Sequence, residues 1–252
     1  MLTRFCSFAL TAVILAAAPA FASTIAFVES QPAATAGLTI DQNPIITAIL
    51  SQPGTVNART YSSWAFLAND GTGSMTVFGA MPNSYIPTVG DSISATGTYS
   101  PFHQIPELAS LTAISASSSG NAIPAIAIAT IPQLNQGTQP FTNVEYLWEL
   151  QNITVAGEGV GNWGTSNSPA GATISDGVNS MTLFYWPTSY STANANLANT
   201  PIPTGPVNMI GFVSNFGTTA EFTPILVTAV PEPASITLLG LGAIALLRRR
   251  RR

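Results

Sequence analysis

The chain has 252 residues, of which 7% are charged and 46% are hydrophobic, whereas roughly 25% are charged in an average globular protein. Apolar runs of membrane type occur only at the two ends, which excludes a polytopic membrane protein. Residues 23–233 contain all 11 acidic residues but only one basic residue, Arg59, so their formal charge is −10. Because binding to phosphate backbones depends on Lys and Arg, nucleic acid is not an expected partner.

The first 22 residues have the pattern of a secretory signal peptide. Arg4 precedes an apolar run, and the small residues Ala20 and Ala22 form a cleavage site. The run is shorter than the about 20 apolar residues that span a bilayer, which disfavours an uncleaved anchor. Cleavage after Ala22 would remove Cys6, the only cysteine. The mature chain would then begin at Ser23 and contain no disulfide, thiolate metal site or cysteine nucleophile.

Two parts of the body repeat each other. Residues 70–78 match residues 176–184 at six of nine positions, 106 residues apart. Later positions recur 114 residues apart, namely Gly97 with Gly211 and Glu107 with Glu221. A loop insertion between the two sets accounts for the change in spacing. The repeat predicts two homologous β modules.

Each unit has the pattern of short strands separated by turns. Asp70-Gly71 lies between two apolar runs, and Asp-Gly is a strong hairpin signal because glycine tolerates the positive φ of the turn. Asp176-Gly177 has the same place in the second unit. About five strands per unit follow from this pattern, and no long helical period accompanies them.

This arrangement resembles the OB-fold modules of secreted bacterial proteins, in which an Asp-Gly-Thr-Gly-like turn, here residues 70–73, joins strands two and three. The resemblance implies an all-β fold of two tandem five-stranded OB-like barrels. Val178 and Asn179 depart from the motif in the second unit. Immunoglobulin-like sandwiches are the alternative, since units of about 90 residues with short strands suit them as well. OB-folds bind oligonucleotides or oligosaccharides. The acidic charge of the body disfavours an oligonucleotide and leaves an oligosaccharide as the expected ligand.

Three features follow one another at the C-terminus. They are Pro231-Glu232-Pro233, an apolar run over residues 236–247, and the basic residues Arg248, Arg249, Arg250, Arg251 and Arg252. In this order they resemble the PEP-CTERM sorting signal of Gram-negative bacteria that make extracellular polysaccharide. The resemblance implies that an exosortase, a membrane-embedded cysteine peptidase, recognises the segment and removes it. These residues would then be recognition residues of a substrate.

The physical properties of this segment suit a transient membrane anchor. The arginines remain cytoplasmic by the positive-inside tendency, which places the body on the outer side of the inner membrane. A helix over residues 234–247 is about 21 Å long at 1.5 Å per residue, shorter than the roughly 30 Å hydrocarbon core. A plain tail anchor is the alternative. The predicted organisation is a signal peptide at 1–22, a β module at 23–123, a linker at 124–141, a second β module at 142–229 and a sorting segment at 230–252.

The body offers few residues for catalysis. His103 is the only histidine, and Gly217 occupies the corresponding position in the second unit. Glu107 and Glu221 supply one shared carboxylate per unit, whereas a glycosidase needs two at one site. We therefore expect no catalytic residue, no metal site and no cofactor.

Aromatic side chains remain as candidates for ligand contact. Trp163 lies in a glycine-rich run and is the best candidate for an exposed ring that stacks on a glycan, with core packing as the alternative. We expect an exported, non-enzymatic protein of the cell surface or the extracellular matrix, associated with exopolysaccharide or biofilm. Its partners would be the Sec export machinery, an exosortase and extracellular polysaccharide. A carbohydrate-binding module and a hydrolase are the alternatives.

Overall fold

The computed structural model describes residues 23–56, 59–135, 145–156, 163, 172–184, 197, 200–216 and 219–230. The signal peptide and the terminal apolar helices predicted from the sequence lie outside these residues. The described part of the chain is mainly β-structure, with two six-stranded sheets and one two-stranded hairpin. The strands of the first six-stranded sheet all come from the first predicted unit, and those of the second sheet come from the second predicted unit and the linker before it.

The first unit consists of a short helix, a six-stranded sheet and a small hairpin. Its elements are α1 (Ile25–Glu29), β1 (Thr35–Ile40), β2 (Ile45–Ser51), β3 (Gly54–Val56), β4 (Arg59–Tyr61), β5 (Trp64–Asn69), β6 (Ser74–Gly79), β7 (Ser92–Tyr99) and β8 (Glu107–Ser118). β3 and β4 form the hairpin, and β1 joins the main sheet through β7.

Five strands of the first unit form a closed barrel in the order β2-β5-β6-β8-β7, because β7 pairs back with β2 through Ser92 and Ile45. The pairing of β6 with β8 is parallel, and the other four pairings are antiparallel. The OB-like barrel predicted for this unit is therefore confirmed. The immunoglobulin-like alternative is wrong for it, because its five strands close into one barrel instead of forming two facing sheets.

The predicted hairpin at Asp70-Gly71 is confirmed and joins β5 to β6. Gly71 has a φ of 83°, a value that glycine adopts without the steric cost of a side chain. The Oδ1 atom of Asp70 accepts the backbone N–H groups of Thr72 at 2.8 Å and Gly73 at 3.0 Å. The aspartate thus stabilises the turn by satisfying its backbone donors.

Helix α1 packs into the core of this barrel. Thr24 is its N-cap and accepts the N–H of Phe27 at 3.1 Å, which satisfies one of the donors that a helix start leaves free. Ile25 and Val28 are fully buried in the same apolar cluster as Phe66 of β5. The five residues of α1 are too short for a helical period, so the sequence pattern did not predict this helix.

The second unit has a sheet in the order β11-β12-β14-β13-β10-β9, and β10 also pairs with β11 over three residues of each strand. β12 and β14 pair in parallel, as β6 and β8 do in the first unit. Its elements are β9 (Ala127–Ile128), α2 (Ile131–Leu134), β10 (Leu147–Ala156), β11 (Thr173–Ser175), β12 (Ser180–Leu183), β13 (Val207–Phe216) and β14 (Thr219–Ala229).

Part of the predicted linker belongs to the second unit. β9 pairs in parallel with β10 through Ala127 and Trp148. In α2, Ile131 and Leu134 are each 1% exposed and belong to the apolar core of the second unit. The prediction of a linker at 124–141 is therefore wrong over residues 127–134, since these residues contribute backbone pairing and buried side chains.

Several repeated residues have matching places in the two sheets. Thr76 of β6 is the parallel partner of Glu107, and Thr182 of β12 is the parallel partner of Glu221. A Cβ atom on Gly97 would lie 2.6 Å from the carbonyl oxygen of Ala109, and one on Gly211 would overlap that of Thr223. Both glycines thus allow a close approach of the strand that follows in the chain.

Candidate functional site

The predicted sorting residues follow the last strand directly. β14 pairs with β13 as far as Ala229, which lies opposite Val207. The N–H of Val230 then donates to the carbonyl oxygen of Pro206 at 3.1 Å. Pro231, Glu232, Pro233 and the arginines at positions 248–252 follow outside the described residues. The backbone pairing of β14 is thus complete before the Pro-Glu-Pro sequence begins.

Trp163 is buried, which contradicts its predicted exposure. Its side chain is 1% exposed and belongs to the core cluster of the second unit, together with Leu197 and Met209. The backbone N–H of Trp163 donates to the carbonyl oxygen of Thr200 at 2.9 Å. A buried indole places a large apolar surface in the core, and this outweighs the exposed position that the surrounding glycines indicated. Trp163 is therefore a core residue with no ring face available to a glycan.

The other tryptophans have different environments. Trp64 is half-buried and lines a groove described below. Trp148 is half-buried and packs against the core cluster of the second unit. Trp186 lies outside the described residues. Trp64 is therefore the described tryptophan that remains a candidate for ligand contact.

His103 lies in the tight turn that joins β7 to β8. Its φ is 50°, and its ring contacts that of Phe102 edge to face, with centroids 4.3 Å apart. Phe102 is 61% exposed. Within the described residues, no group of three or more His, Cys, Asp or Glu side chains is arranged to hold a metal ion. His103 therefore lies in an exposed aromatic turn.

Glu145 connects the two units and was not among the residues singled out from the sequence. Its side chain is 1% exposed. Thr76 Oγ1 donates to Glu145 Oε2, and Ser74 Oγ donates to the Glu145 carbonyl oxygen at 2.7 Å. The N–H of Glu145 donates to the carbonyl oxygen of Val213 at 3.0 Å. The residue thus bonds to β6 of the first unit and to β13 of the second.

The carboxyl groups near this connection favour their protonated forms. The pKa of Glu145 is raised to about 8, mainly by burial; the hydrogen bond from the Thr76 hydroxyl opposes this rise, and the nearby Glu107 carboxylate contributes to it. Burial also raises the pKa of Glu107 to about 7. In α1, burial and the charge of Asp70 raise the pKa of Glu29 to about 7. Because burial disfavours a charged carboxylate, Glu145 is mainly protonated near neutral pH, and Glu107 and Glu29 are about half protonated there.

An apolar cluster adds to the connection between the units. Phe212 of β13 is 2% exposed and packs with Ala48, Leu50 and Leu67 of the first barrel. Leu147 and Ile225 of the second unit pack against the same cluster. The two sheets are therefore joined by a buried apolar contact as well as by the hydrogen bonds of Glu145.

A groove of about 570 Å³ opens beside this contact. Residues of both units line it, and most of them are aliphatic. Ile86, Val89 and Leu226 in its wall are 69%, 44% and 40% exposed. Trp64 and Gln52 supply an aromatic ring and an amide to the same wall. The groove is thus an apolar surface with few polar groups to orient a ligand.

No helix in the described part of the chain has the length and apolar character needed to cross a bilayer. Residues 229–252 match the PEP-CTERM protein-sorting motif, which confirms the resemblance found in the sequence. The motif supports an exported protein that an exosortase processes. No curated protein matches the chain.

Three solved structures resemble the fold at low similarity. A murine DNA-binding protein bound with double-stranded DNA has 14% identity and a TM-score of 0.40, over 79% of this chain and 98% of the other. The tetrameric p202 HIN2 has 11% identity and a TM-score of 0.33, over 79% and 96%. A replication protein A heterotrimer bound to single-stranded DNA has 9% identity and a TM-score of 0.25, over 90% and 72%. These values carry no inference about a ligand.

Proposed function

We propose that this chain is the precursor of a non-enzymatic protein of the cell surface or extracellular matrix, associated with exopolysaccharide or biofilm. The observation that carries the proposal is the sorting motif at residues 229–252, which begins where β14 ends. A cut at or beyond the Pro-Glu-Pro sequence would leave intact every backbone pairing found among the described residues, which ends with the bond from Val230. Removal of the segment would therefore release or transfer a folded body.

The acidic residues support a structural rather than a catalytic role for the body. Asp70 accepts backbone donors of its own turn and of α1. Glu145 is enclosed between the two units and bonded to Thr76, which leaves it inaccessible to a polymeric substrate. A glycosidase of the usual kind needs two carboxyl groups that flank the scissile bond. These side chains stabilise the fold, and we propose that the protein acts by binding or by assembly.

The two units are, in this proposal, versions of one OB-like module. Support comes from the Thr–Glu pairs Thr76–Glu107 and Thr182–Glu221. The two short helices give further support. The N-cap and first residue of α1, Thr24 and Ile25, precede those of α2, Thr130 and Ile131, by the same 106 residues that separate the two hairpins. An experimental structure in which 23–123 superposes on 129–229 would support this view, and unrelated strand orders would contradict it.

Processing can be tested by a conservative change in the sorting motif. Glu232→Gln keeps the size of the side chain and removes its charge. Membrane and released fractions are compared by intact mass, with Glu149→Gln as the control because it makes the same change within β10. We expect Glu232→Gln to accumulate as an uncut membrane species and the control to be processed normally. Equal processing of the two variants would contradict recognition through the Pro-Glu-Pro sequence.

A carbohydrate-binding module is the second candidate, and the position of the half-buried Trp64 ring in the wall of the groove favours it. An aromatic face beside an amide is a common way to hold a neutral sugar. Binding of the mature protein to the host polysaccharide should be saturable and should weaken at least tenfold in Trp64→Ala. Phe102→Ala, which removes an exposed ring elsewhere on the first unit, serves as the control. Unchanged binding in Trp64→Ala would exclude the groove as the glycan site.

A further inference from the structure

The backbone nitrogen of Ser23 contacts a carboxylate. It donates to Asp41 Oδ1 at 2.6 Å, and the N–H of Asp41 donates to the carbonyl oxygen of Ser23 at 3.2 Å. This reciprocal pair lies at the start of α1, whose N-cap is Thr24. The position of residue 23 is thus fixed against the loop that joins β1 to β2.

The helix that follows is part of the barrel core. Ile25 and Val28 have no exposed surface, and the N–H of Ile25 donates to Asp70 Oδ2 at 2.7 Å. Asp41 and Asp70 therefore hold two nearly adjacent backbone nitrogens, those of residues 23 and 25. Any change at the Ser23 nitrogen acts directly on the attachment of α1 to the barrel.

Removal of a signal peptide changes the chemistry of this nitrogen. Hydrolysis adds water across the Ala22–Ser23 peptide bond, so that Ala22 leaves with a carboxylate and Ser23 retains an amine. An α-amine has an ordinary pKa of about 7.7–8.0 and is mostly protonated at pH 7. The neutral peptide N–H that contacts Asp41 is thereby replaced by an ammonium group. The Asp41 carboxylate then faces a full positive charge, so that an ion pair replaces a hydrogen bond from a neutral donor.

We propose that cleavage after Ala22 creates an ion pair between the Ser23 α-ammonium and the Asp41 carboxylate, and that this pair fastens α1 to the barrel of the mature protein. The inference rests on the proposed function, because it requires export with removal of the signal peptide. Signal-peptide removal thus strengthens the attachment of α1, since in the precursor Asp41 faces only the neutral peptide N–H of Ser23.

The surrounding charges favour the ammonium form. Besides Asp41, the acidic side chains on α1 and on the hairpin that contacts it are Glu29, which a pKa of about 7 leaves partly charged near neutral pH, and Asp70. Tyr99 and Tyr146 are the other titratable groups that interact electrostatically with Glu29. β1 and β6, against which α1 packs, contain no titratable residue. The new positive charge is therefore placed in an acidic part of a body whose formal charge is −10.

The absence of lysine makes this amine directly measurable. The chain contains no Lys, so the α-amine is the only primary amine of the mature protein. Exported protein is first checked by intact mass for a start at Ser23. It is then treated with an amine-specific acylating reagent over a range of pH, and the rate gives the pKa of the α-amine. Asp41→Asn is compared with wild type, and Glu149→Gln, which removes one carboxylate from the second unit, is the control.

We expect Asp41→Asn to be acylated three to ten times faster than wild type near pH 7, which corresponds to an amine pKa lower by about 0.5 to 1 unit. The control should match wild type. Equal rates in Asp41→Asn and wild type would overturn the ion pair. If Asp41→Asn is not recovered folded, the wild-type titration decides. An α-amine pKa above 8.0 supports the pair, and a value within or below the ordinary range overturns it.

The intact mass distinguishes a failure of the ion-pair proposal from a failure of the proposed function. A chain that starts elsewhere than Ser23 contradicts the predicted cleavage site and therefore also the ion pair. A chain that starts at Ser23 but has an unshifted amine leaves the export proposal intact and overturns the ion pair alone.

Discussion

Asp70 Oδ2 accepts the backbone N–H of Ile25 at 2.7 Å, although the two residues are 45 positions apart in the chain. The Oδ1 atom of the same carboxylate accepts donors of its own turn. Asp176 has the equivalent place in the second unit, and its described hydrogen bonds come from Val178 and Asn179. These bonds lower the pKa of Asp176. Asp70 thus supports a helix as well as its turn, whereas the bonds to Asp176 within the described residues all come from its own turn.

The first prediction compares these two aspartates. Asp70→Ala removes the acceptor for the turn and for α1, and should lower the free energy of unfolding by about 1.5–3 kcal/mol, the range for hydrogen bonds to a charged group. Asp176→Ala should have a clearly smaller effect because its carboxylate is fully exposed. Urea unfolding of the mature protein measures both. Equal losses would contradict the connection between Asp70 and α1.

The second prediction concerns the space that α1 occupies on the hairpin. A Cβ atom at Gly73 would lie 2.6 Å from Ile25 Cγ2 and 3.2 Å from the backbone nitrogen of Ala26. Gly73→Ala should therefore displace α1 and cost about 1–3 kcal/mol of stability, as overpacking usually does. A Cβ atom at Gly205 would meet no atom within 4 Å, so Gly205→Ala is the matched control. A neutral Gly73→Ala would show that α1 does not pack there.

The third prediction concerns pH. The folded pKa of Glu145 is about 8, above its ordinary value of 4.5. The folded protein therefore keeps a proton that the unfolded chain loses above about pH 4.5. Stability from this group is full below that pH and falls as pH rises towards 8. Glu145→Gln retains a neutral acceptor for Thr76 without this dependence.

In thermal or urea unfolding, Glu145→Gln should match wild type near pH 5 and exceed it near pH 8 by roughly 3–4 kcal/mol, at 1.36 kcal/mol per pKa unit. Part of the decline in stability should remain, since Glu29 and Glu107 also have a raised pKa. Glu149→Gln is the control and should keep the wild-type dependence. Identical pH profiles for Glu145→Gln and wild type would contradict a neutral, buried Glu145.

The fourth prediction concerns the contact between the units. Phe212→Ala removes a ring that is 2% exposed and packs against Leu50 and Leu67. The loss should be about 3–5 kcal/mol, and it should separate unfolding into two transitions because the units lose their shared core. Phe78→Ala, at a ring that is 40% exposed, should cause a small change and keep one transition. A single transition in Phe212→Ala would contradict a role in coupling the units.

Local turn chemistry explains why the barrel of the first unit could be predicted. Asp70-Gly71 between apolar runs identified the central hairpin, which the structure contains. The helices α1 and α2 have five and four residues, too few to produce a helical period. α2 was also hidden within a segment rich in Pro and Ala, so its buried Ile131 and Leu134 were assigned to a linker.

The candidate site depends more strongly on tertiary packing. Trp163 lies among glycines, a pattern typical of an exposed loop, yet it is buried because the core of the second unit extends to it. Glu145 lies near the start of the predicted second module and belongs to no recognised motif, and its importance comes from contacts with Ser74 and Thr76 some 70 positions earlier. Such contacts between distant parts of the chain leave no local pattern. The sorting motif, in contrast, is a local sequence signal and was recognised directly.

The intact mass of the exported protein shows whether both terminal segments are removed. We expect a chain that begins at Ser23 and lacks the arginines at positions 248–252, because both terminal signals are removed during export and sorting. Recovery of a full-length C-terminus from the final cell-surface or released pool would contradict processing by an exosortase.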